Sequence, residues 1–370
     1  MRVLHVYRTY FPDTQGGLEE VIRQICRNTV SSGVESRIFT LSPHIGSSNI
    51  QIDDAEVFRF HRTFEIASCG VSPSSLVGFK RLVNWADIIH YHFPWPFADL
   101  LHLLACVKKP SLVTYHSDIV RQKGLLKLYR PLMHNFLGKM ACIVSTSQNY
   151  FVTSDTLGRY SEKVEIIPIG LDDQSYPDAG DKLIELTKEK VGEDFFLFIG
   201  VLRYYKGLHI LLDAIRDTDL QVVIVGAGPV EQELRQHVQR LKLHNVRFMG
   251  YVEDDEKVAL IKLSRAIVFP SYLRSEAFGV TLLEGAMYGK PLISTEIGTG
   301  TSYVNMHDET GFVVPPADPK RLREAMETLD EDDELAAQMG KAARKRYEQL
   351  FTGKLMGQRY AELYERLLSE

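Results

Sequence analysis

The sequence predicts an α/β protein made of two doubly wound, Rossmann-like domains facing each other across a cleft. Three observations predict it. Short runs of branched aliphatic and aromatic residues recur at 3–7, 36–40, 87–91, 112–115, 142–145, 164–167, 195–199, 222–225, 246–248, 267–269, 292–294 and 312–314; such runs are what parallel strands buried on both faces require. Between them lie longer stretches with apolar residues at helical spacing. The alternating pattern occurs twice, over 1–169 and 195–314, parted by a charged stretch at 172–194 that holds Pro177 and Gly180.

The first unit shows the pattern in order. After the strand at 3–7 comes a loop, then Leu18, Val21, Ile25 and Thr29 at helical spacing, then Gly33 where a helix C-terminus favours a left-handed residue. Later units repeat strand, loop and helix, giving a first domain at 1–171 and a second at 172–352. The last stretch sets Tyr347, Leu350, Phe351, Leu355, Tyr360, Leu363, Tyr364 and Leu367 among charged residues. It reads as one or two amphipathic helices, the final one, about 353–370, packing back on the first domain.

Composition narrows the function classes. With 45% hydrophobic and 25% charged residues, the chain is an ordinary globular one, which excludes disorder, collagen, coiled coil and a disulfide scaffold. A net charge of -5 gives no overall basic field for nucleic acid. The charge is uneven: 18 Lys and Arg face 14 Asp and Glu in residues 1–170, against 25 and 34 beyond, and eight of the 12 His fall in the first part. Cys26, Cys69, Cys106 and Cys142 lack metal or redox spacing and read as small core residues in a reducing compartment. No leader and no apolar run near 18 residues stands out, so the expected place is the cytoplasm.

Three segments carry chemistry. The loop ending in Gly16-Gly17 is longer than a structural strand-to-helix connection needs, and two glycines opening a helix let backbone N–H groups approach an anion. A plain tight turn fits it equally well. The loop after the strand at 195–199 brings Arg203 and Lys206, a bidentate donor and a point charge suited to a diphosphate. In SEAFGVTLLEGAMYGKPLI, Glu276 and Glu284 stand seven residues apart around Phe278, Gly279, Val280 and Thr281 at a helix start. Free amides there can meet phosphate or sugar oxygens, and Glu284, inside the helix, can accept both hydroxyls of a ribose.

In order, these segments resemble glycosyltransferase family 4, the retaining nucleotide-sugar glycosyltransferases of GT-B fold, over nearly the whole chain. The likeness rests on the Gly-Gly loop, TYHSD with His116, IIPIGLD at 166–172, the 200–207 loop and the Glu-x7-Glu segment. YRTYFPDTQGGLEEVI, YHFPWPFADLLH, TYHSDIVRQK and RYYKGLHILLDA resemble bacterial mannosyltransferases of O-antigen assembly that act on an undecaprenyl-diphosphate-linked sugar. The resemblance implies Gly16 and Gly17 near the donor diphosphate and Arg203 and Lys206 neutralising it. It further implies Glu276 with the amides of Phe278 and Gly279 on the sugar, Val280 beside them, Glu284 on the ribose, and Val252, Asp254 and Lys257 near the base. His116 would lie beside the reacting centre, with His92 and Asp118 on the acceptor side.

Two places depart from the family pattern: Val201 stands where Arg usually follows Gly, and GTGTSYV puts Thr299 and Ser302 at the positions of a usual Gly-Gly and following Glu. The expected activity is metal-free transfer of mannose from GDP-mannose to a lipid-diphosphate-linked sugar. GDP-D-rhamnose, differing at C6, is the alternative donor, and a nucleotide-sugar epimerase or a non-catalytic sugar-nucleotide-binding subunit the alternative class. Other polysaccharide-assembly enzymes would be partners.

Other features have plainer readings. Asp217-Thr218-Asp219 reads as a surface turn, Gly226-Ala227-Gly228-Pro229 as a structural turn, and His90 as a satisfied core histidine. From 119 to 154 there is no Asp or Glu, and Lys123, Lys127, Arg130 and His134 fall on one helical face opposite Leu125, Leu128, Leu132 and Phe136. With a lipid-linked acceptor, that basic face suits an anionic membrane surface and a peripheral place on the inner face of the cytoplasmic membrane.

Overall fold

The computed structural model describes residues 1–44, 48–67, 69–119 and 123–369. The chain divides into two compact units, Met1–Leu171 with Gly353–Glu370, and Asp172–Thr352.

The first unit holds β1 (Arg2–Val6), β2 (Glu35–Ser42), β3 (Ser48–Ile52), β4 (Ala55–His61), β5 (Phe64–Ile66), β6 (Cys69–Val71), β7 (Ile88–Phe93), β8 (Ser111–Tyr115), β9 (Cys142–Ser145) and β10 (Val164–Ile166). An eight-stranded sheet runs β10-β9-β8-β7-β1-β2-β4-β3, parallel throughout except for β3 against β4. Every residue of β7 and β8 is buried, as expected of strands covered by helices on both faces. The order reverses at β1, with β2 on one side and β7 on the other.

Helix Gly17–Thr29 follows β1 and buries Val21, Ile22, Ile25 and Cys26. It ends in a short 3-10 turn, after which Gly33 takes φ 74° and donates its N–H to the Val30 carbonyl. The C-terminal helix Gly353–Ser369 lies against this first helix. Its small residues permit the approach: a Cβ at Gly357 would stand 2.3 Å from the Asn28 carbonyl oxygen.

The second unit is a six-stranded parallel sheet of β11 (Phe196–Ile199), β12 (Val222–Val225), β13 (Val246–Gly250), β14 (Ala266–Phe269), β15 (Leu292–Thr295) and β16 (Gly311–Val314), in the order β13-β12-β11-β14-β15-β16. Here the order reverses between β11 and β14. The charged stretch at 172–194 is no simple linker, because it contains helix Gly180–Val191. Leu183 and Ile184 pack with Ala179, Val258 and Ala259.

Two expectations need correction. The strands β3 to β6 were not foreseen; they form antiparallel pairs at the edge of the first unit, where half-exposed strands carry polar residues instead of apolar runs. The helix Lys123–Lys139 also faces otherwise than expected: Met133, Phe136 and Leu137 are buried, whereas Leu125 is 53% and Leu128 82% exposed. Among the cysteines, Cys26 and Cys142 are buried, but Cys106 is exposed. No described helix is long and apolar enough to cross a membrane.

Candidate functional site

In doubly wound sheets the C-terminal strand ends beside the order reversal are where loops part and a ligand can enter. Both units place their candidate residues there. In the first, the loop after β1 leads to Gly16, which caps the helix Gly17–Thr29 in extended conformation with no side-chain cap. Glu19 reaches close over it: a Cβ at Gly16 would lie 2.7 Å from Glu19 Oε2. Glu19 is buried, and its Oε1 accepts hydrogen bonds from Thr9 and Thr14, both at 2.8 Å. The positive helix end thus already faces a carboxylate, a residue the sequence reading missed although it lies two positions past the Gly-Gly pair.

One face of the same sheet carries five linked side chains. His5 pairs in register with His90, and His92 with Thr114. Residues two apart share a face, so His90 with His92, and Thr114 with His116, project together. His5 Nδ1 lies 3.2 Å from His92 Nε2, and His92 Nδ1 lies 3.0 Å from His116 Nε2. His90 is bound instead to Tyr364 and Thr114, each at 2.7 Å, and Thr114 to Tyr360 at 2.8 Å. Burial holds His5 and His116 down to about 3 and takes His90 and His92 well below their ordinary value. All four imidazoles are neutral at neutral pH.

His90 is therefore the satisfied core residue expected. His92 needs correction: it is fully buried with both nitrogens engaged, so it has no free atom for an acceptor. His5, His90 and His92 could in principle gather around a cation, but both nitrogens of His90 and of His92 already have partners. Asp118, just past β8, accepts from Tyr115 and Ser154 through Oδ1, both at 2.8 Å, and its N–H donates to Tyr150.

In the second unit the loops after β11 and β14 lie side by side. Gly207 has φ 72°, and a Cβ there would meet the Pro270 carbonyl oxygen at 2.0 Å; only glycine allows that approach. The result brings Lys206 Nζ within 2.5 Å of Glu276 Oε2, with the ammonium 4.5 Å from the centre of the Phe269 ring. Arg203 is exposed and makes no ion pair among the described residues. It borders a depression of about 340 Å³ with Tyr204, His209, His237, Arg240 and Tyr272.

Gly279 takes φ 89° as the N-cap of helix Val280–Met287, with no side-chain cap to occupy its amides, and Phe278 beside it is buried. Four positions into that helix, Glu284 accepts from Tyr176 at 3.0 Å and pairs with Lys257 at 3.0 Å. Lys257 also pairs with Asp254 at 2.8 Å. Burial alone would lower the Lys257 pKa, but Glu284 and Asp254 outweigh it, and the net direction is upward. Val252 precedes this pair, half-buried.

The two departures from the family pattern are structurally quiet. Thr299 is fully buried, and Ser302 donates to Glu296, which also accepts the Gly298 N–H. Asp217 is a left-handed surface turn residue, and Asp217 to Asp219 border a shallow depression of about 180 Å³ away from every candidate residue. Gly226 and Gly228 press against the backbone of Gly200 and Leu202, as a structural turn does. On the helix Lys123–Lys139, Lys127 and Arg130 are exposed; the side chain of Lys123 lies outside the described part.

Residues 15–175 match the model of Glycosyltransferase Family 4, and residues 181–346 that of Glycosyl transferases group 1. The chain is 54% identical to D-rhamnosyltransferase WbpZ of Pseudomonas aeruginosa, over 95% of this chain and 92% of that one. It is 48% identical to O-antigen chain mannosyltransferase C of Escherichia coli, over 100% and 99%. Among solved structures, Anabaena HepE in complex with UDP and glucose superposes with a TM-score of 0.80 at 19% identity, covering 99% of this chain and 100% of that one. The two α/β units are those of the GT-B fold. Across both units, therefore, the chain belongs to the glycosyltransferases, its first part to family 4 and its second to group 1.

Proposed function

We propose that the protein is a retaining hexosyltransferase of O-antigen assembly that moves mannose from GDP-mannose to a sugar carried on a lipid diphosphate. The observation that carries the donor half is the pairing of Lys206 with Glu276 at the β11/β14 reversal, with Glu284 and Lys257 in the helices beside it. Cleaving a sugar–phosphate bond leaves negative charge on the diphosphate and positive charge on the anomeric carbon. Preorganised cations and helix-end amides lower such a barrier.

Lys206 and Arg203 take the diphosphate, while Glu276 with the amides of Phe278 and Gly279 takes the sugar, Val280 lying beside them. Glu284 takes the ribose, with Val252, Asp254 and Lys257 toward the base. Glu276 holds Lys206 in place for the leaving group, and Arg203, with no ion pair among the described residues, adds a second cation from the same loop. The new glycosidic bond forms on the face from which the diphosphate departs, and the acceptor hydroxyl gives its proton to a diphosphate oxygen. These residues supply the charge at the leaving group, and no metal is assigned to the step.

In the first unit, Gly16 and Gly17 offer amides to the diphosphate, with Glu19 already beside them. His116 is the candidate at the reacting sugar, and Asp118 lies on the acceptor side. A specific observation supports a second donor: the relative at 54% identity is named a D-rhamnosyltransferase, and GDP-D-rhamnose differs from GDP-mannose at C6. The epimerase alternative finds no support, since both relatives are named transferases. A lipid-linked acceptor places the enzyme peripherally on the inner face of the cytoplasmic membrane, beside other polysaccharide-assembly enzymes.

The test is thermal stabilisation by GDP, UDP, GDP-mannose, GDP-D-rhamnose and NAD, with and without EDTA. A ligand at 100 times its Kd adds about 2.7 kcal/mol. Stabilisation by guanine nucleotides alone, insensitive to EDTA, is expected. Preference for UDP would overturn the donor, and loss of the response in EDTA the metal-free step.

A further inference from the structure

The row His5–His92–His116 has only two ways to hold its protons. A neutral imidazole has one N–H and one bare nitrogen. His92 sits in the middle, bonded on both sides, so one of its nitrogens donates and the other accepts. In the first arrangement every proton is on Nδ1: His5 donates to His92, His92 donates to His116, and His116 keeps an outward Nδ1–H. In the second every proton is on Nε2, the bonds run the other way, and His116 ends in a bare, accepting Nδ1.

The two ends of the row decide between them. His5 Nε2 is buried with no partner. The second arrangement leaves an orphaned N–H there, the first an orphaned lone pair; among buried backbone groups an orphan N–H is rarer than an under-satisfied acceptor, and by the same preference the first arrangement is favoured. At the other end, His116 keeps 4% of its surface exposed, and its Nδ1 has no partner among the described residues. The row is also held in place from the side: His90 stacks on His92 with centroids 4.4 Å apart, and His90 is tied to Tyr364 and Thr114.

We propose that His5 and His92 are positioning residues that fix His116 as the Nδ1–H tautomer, so that His116 offers the reacting groups a hydrogen-bond donor and not a base. This rests on the reading of His116 as a residue of the transfer site. The consequence is chemical: His116 steadies a substrate oxygen and leaves the acceptor's proton to the departing diphosphate.

The experiment is ring-nitrogen NMR of the full-length protein with 15N-labelled histidine, in which the two tautomers give distinct two-bond correlations, assigned by single substitutions. Nδ1–H on His116 and His92 is expected. Nε2–H on His116 in the unaltered protein overturns the proposal, whatever the activity.

Kinetics give the second arm. His5→Phe removes the donor at the head of the row and is expected to lower kcat about tenfold, the usual scale for losing an orienting partner, with the donor KM unchanged. His5→Asn, whose amide N–H can stand at the Nδ1 position, is expected to restore most of it. Equal losses in the two variants would point to packing and overturn the relay. Normal turnover by His116→Ala, with the tautomer as stated, would instead remove His116 from the transfer site.

Discussion

Lys206, partly buried, and Glu284, buried, each sit beside an opposite charge, yet they should fail in different ways. Lys206 meets charge that grows on the diphosphate as the sugar leaves, so its effect is largest in the transition state. Lys206→Ala is expected to lower kcat about 10²-fold or more, as loss of one such preorganised group does; normal turnover would remove it from the leaving group. Glu284 would touch the ribose, which does not react. Glu284→Gln should raise the donor KM and leave kcat near its original value, and an unchanged KM would count against the ribose role. The types and spacing of these residues were legible in the sequence, because Glu-x7-Glu and the Arg203/Lys206 loop follow strand-like runs. The pairing of Lys206 with Glu276 was not, since it depends on β11 and β14 being neighbours while β12 and β13 intervene in the chain. Glu19 was missed for a related reason: its burial is set by Thr9 and Thr14 folding over it, which no spacing rule encodes.

The helix Lys123–Lys139 turns its Met133, Phe136 and Leu137 face inward, which leaves Leu125 and Leu128 on the outside with Lys127 and Arg130. Helix Pro96–Leu104 packs against it and exposes Leu100 and Leu104 as well. Apolar side chains in company with cations suit an anionic bilayer, where each Lys or Arg near the surface is worth about 1 kcal/mol and the leucines enter the acyl boundary. Combined Lys127→Glu and Arg130→Glu should abolish flotation with phosphatidylglycerol vesicles, and Leu128→Ser should weaken it at unchanged charge. Flotation unaffected by both would refute the membrane face. The basic character of this helix could be read from the absence of acids across 119–154. Its inward face could not, because leucines occur all round and only the packing partners choose among them. The missed strands β3 and β4 show the same limit: their turn is Asp53-Asp54, with Asp53 at φ 46° where a glycine or asparagine would have announced a hairpin.

At the scale of the molecule, titration should separate the two units. Five buried histidines of the first unit, His5, His90, His92, His102 and His116, have pKa values lowered by burial, His102 to about 4, and the partly buried His134 shifts the same way. Among the described histidines of the second unit only the partly exposed His209 is shifted down. A histidine kept neutral in the fold takes up its proton on unfolding. Its contribution is therefore present above the unfolded value near 6.5 and lost as pH falls below it, at about 1.4 kcal/mol per pH unit for each group. Asp99 acts in the opposite sense, because burial raises its carboxyl well above the ordinary range, so the folded state holds a proton that the unfolded chain has released. Below pH 6.5 it opposes the histidines, which outnumber it. Protonation also adds positive charge to the half of the chain that already carries more Lys and Arg than Asp and Glu. Hydrogen exchange at pH 7.5 and pH 5 should show the sheet from β1 to β10 losing protection by several kcal/mol while that from β11 to β16 changes little. Equal losses in both would mean that the buried histidines are reached by protons before the first unit unfolds.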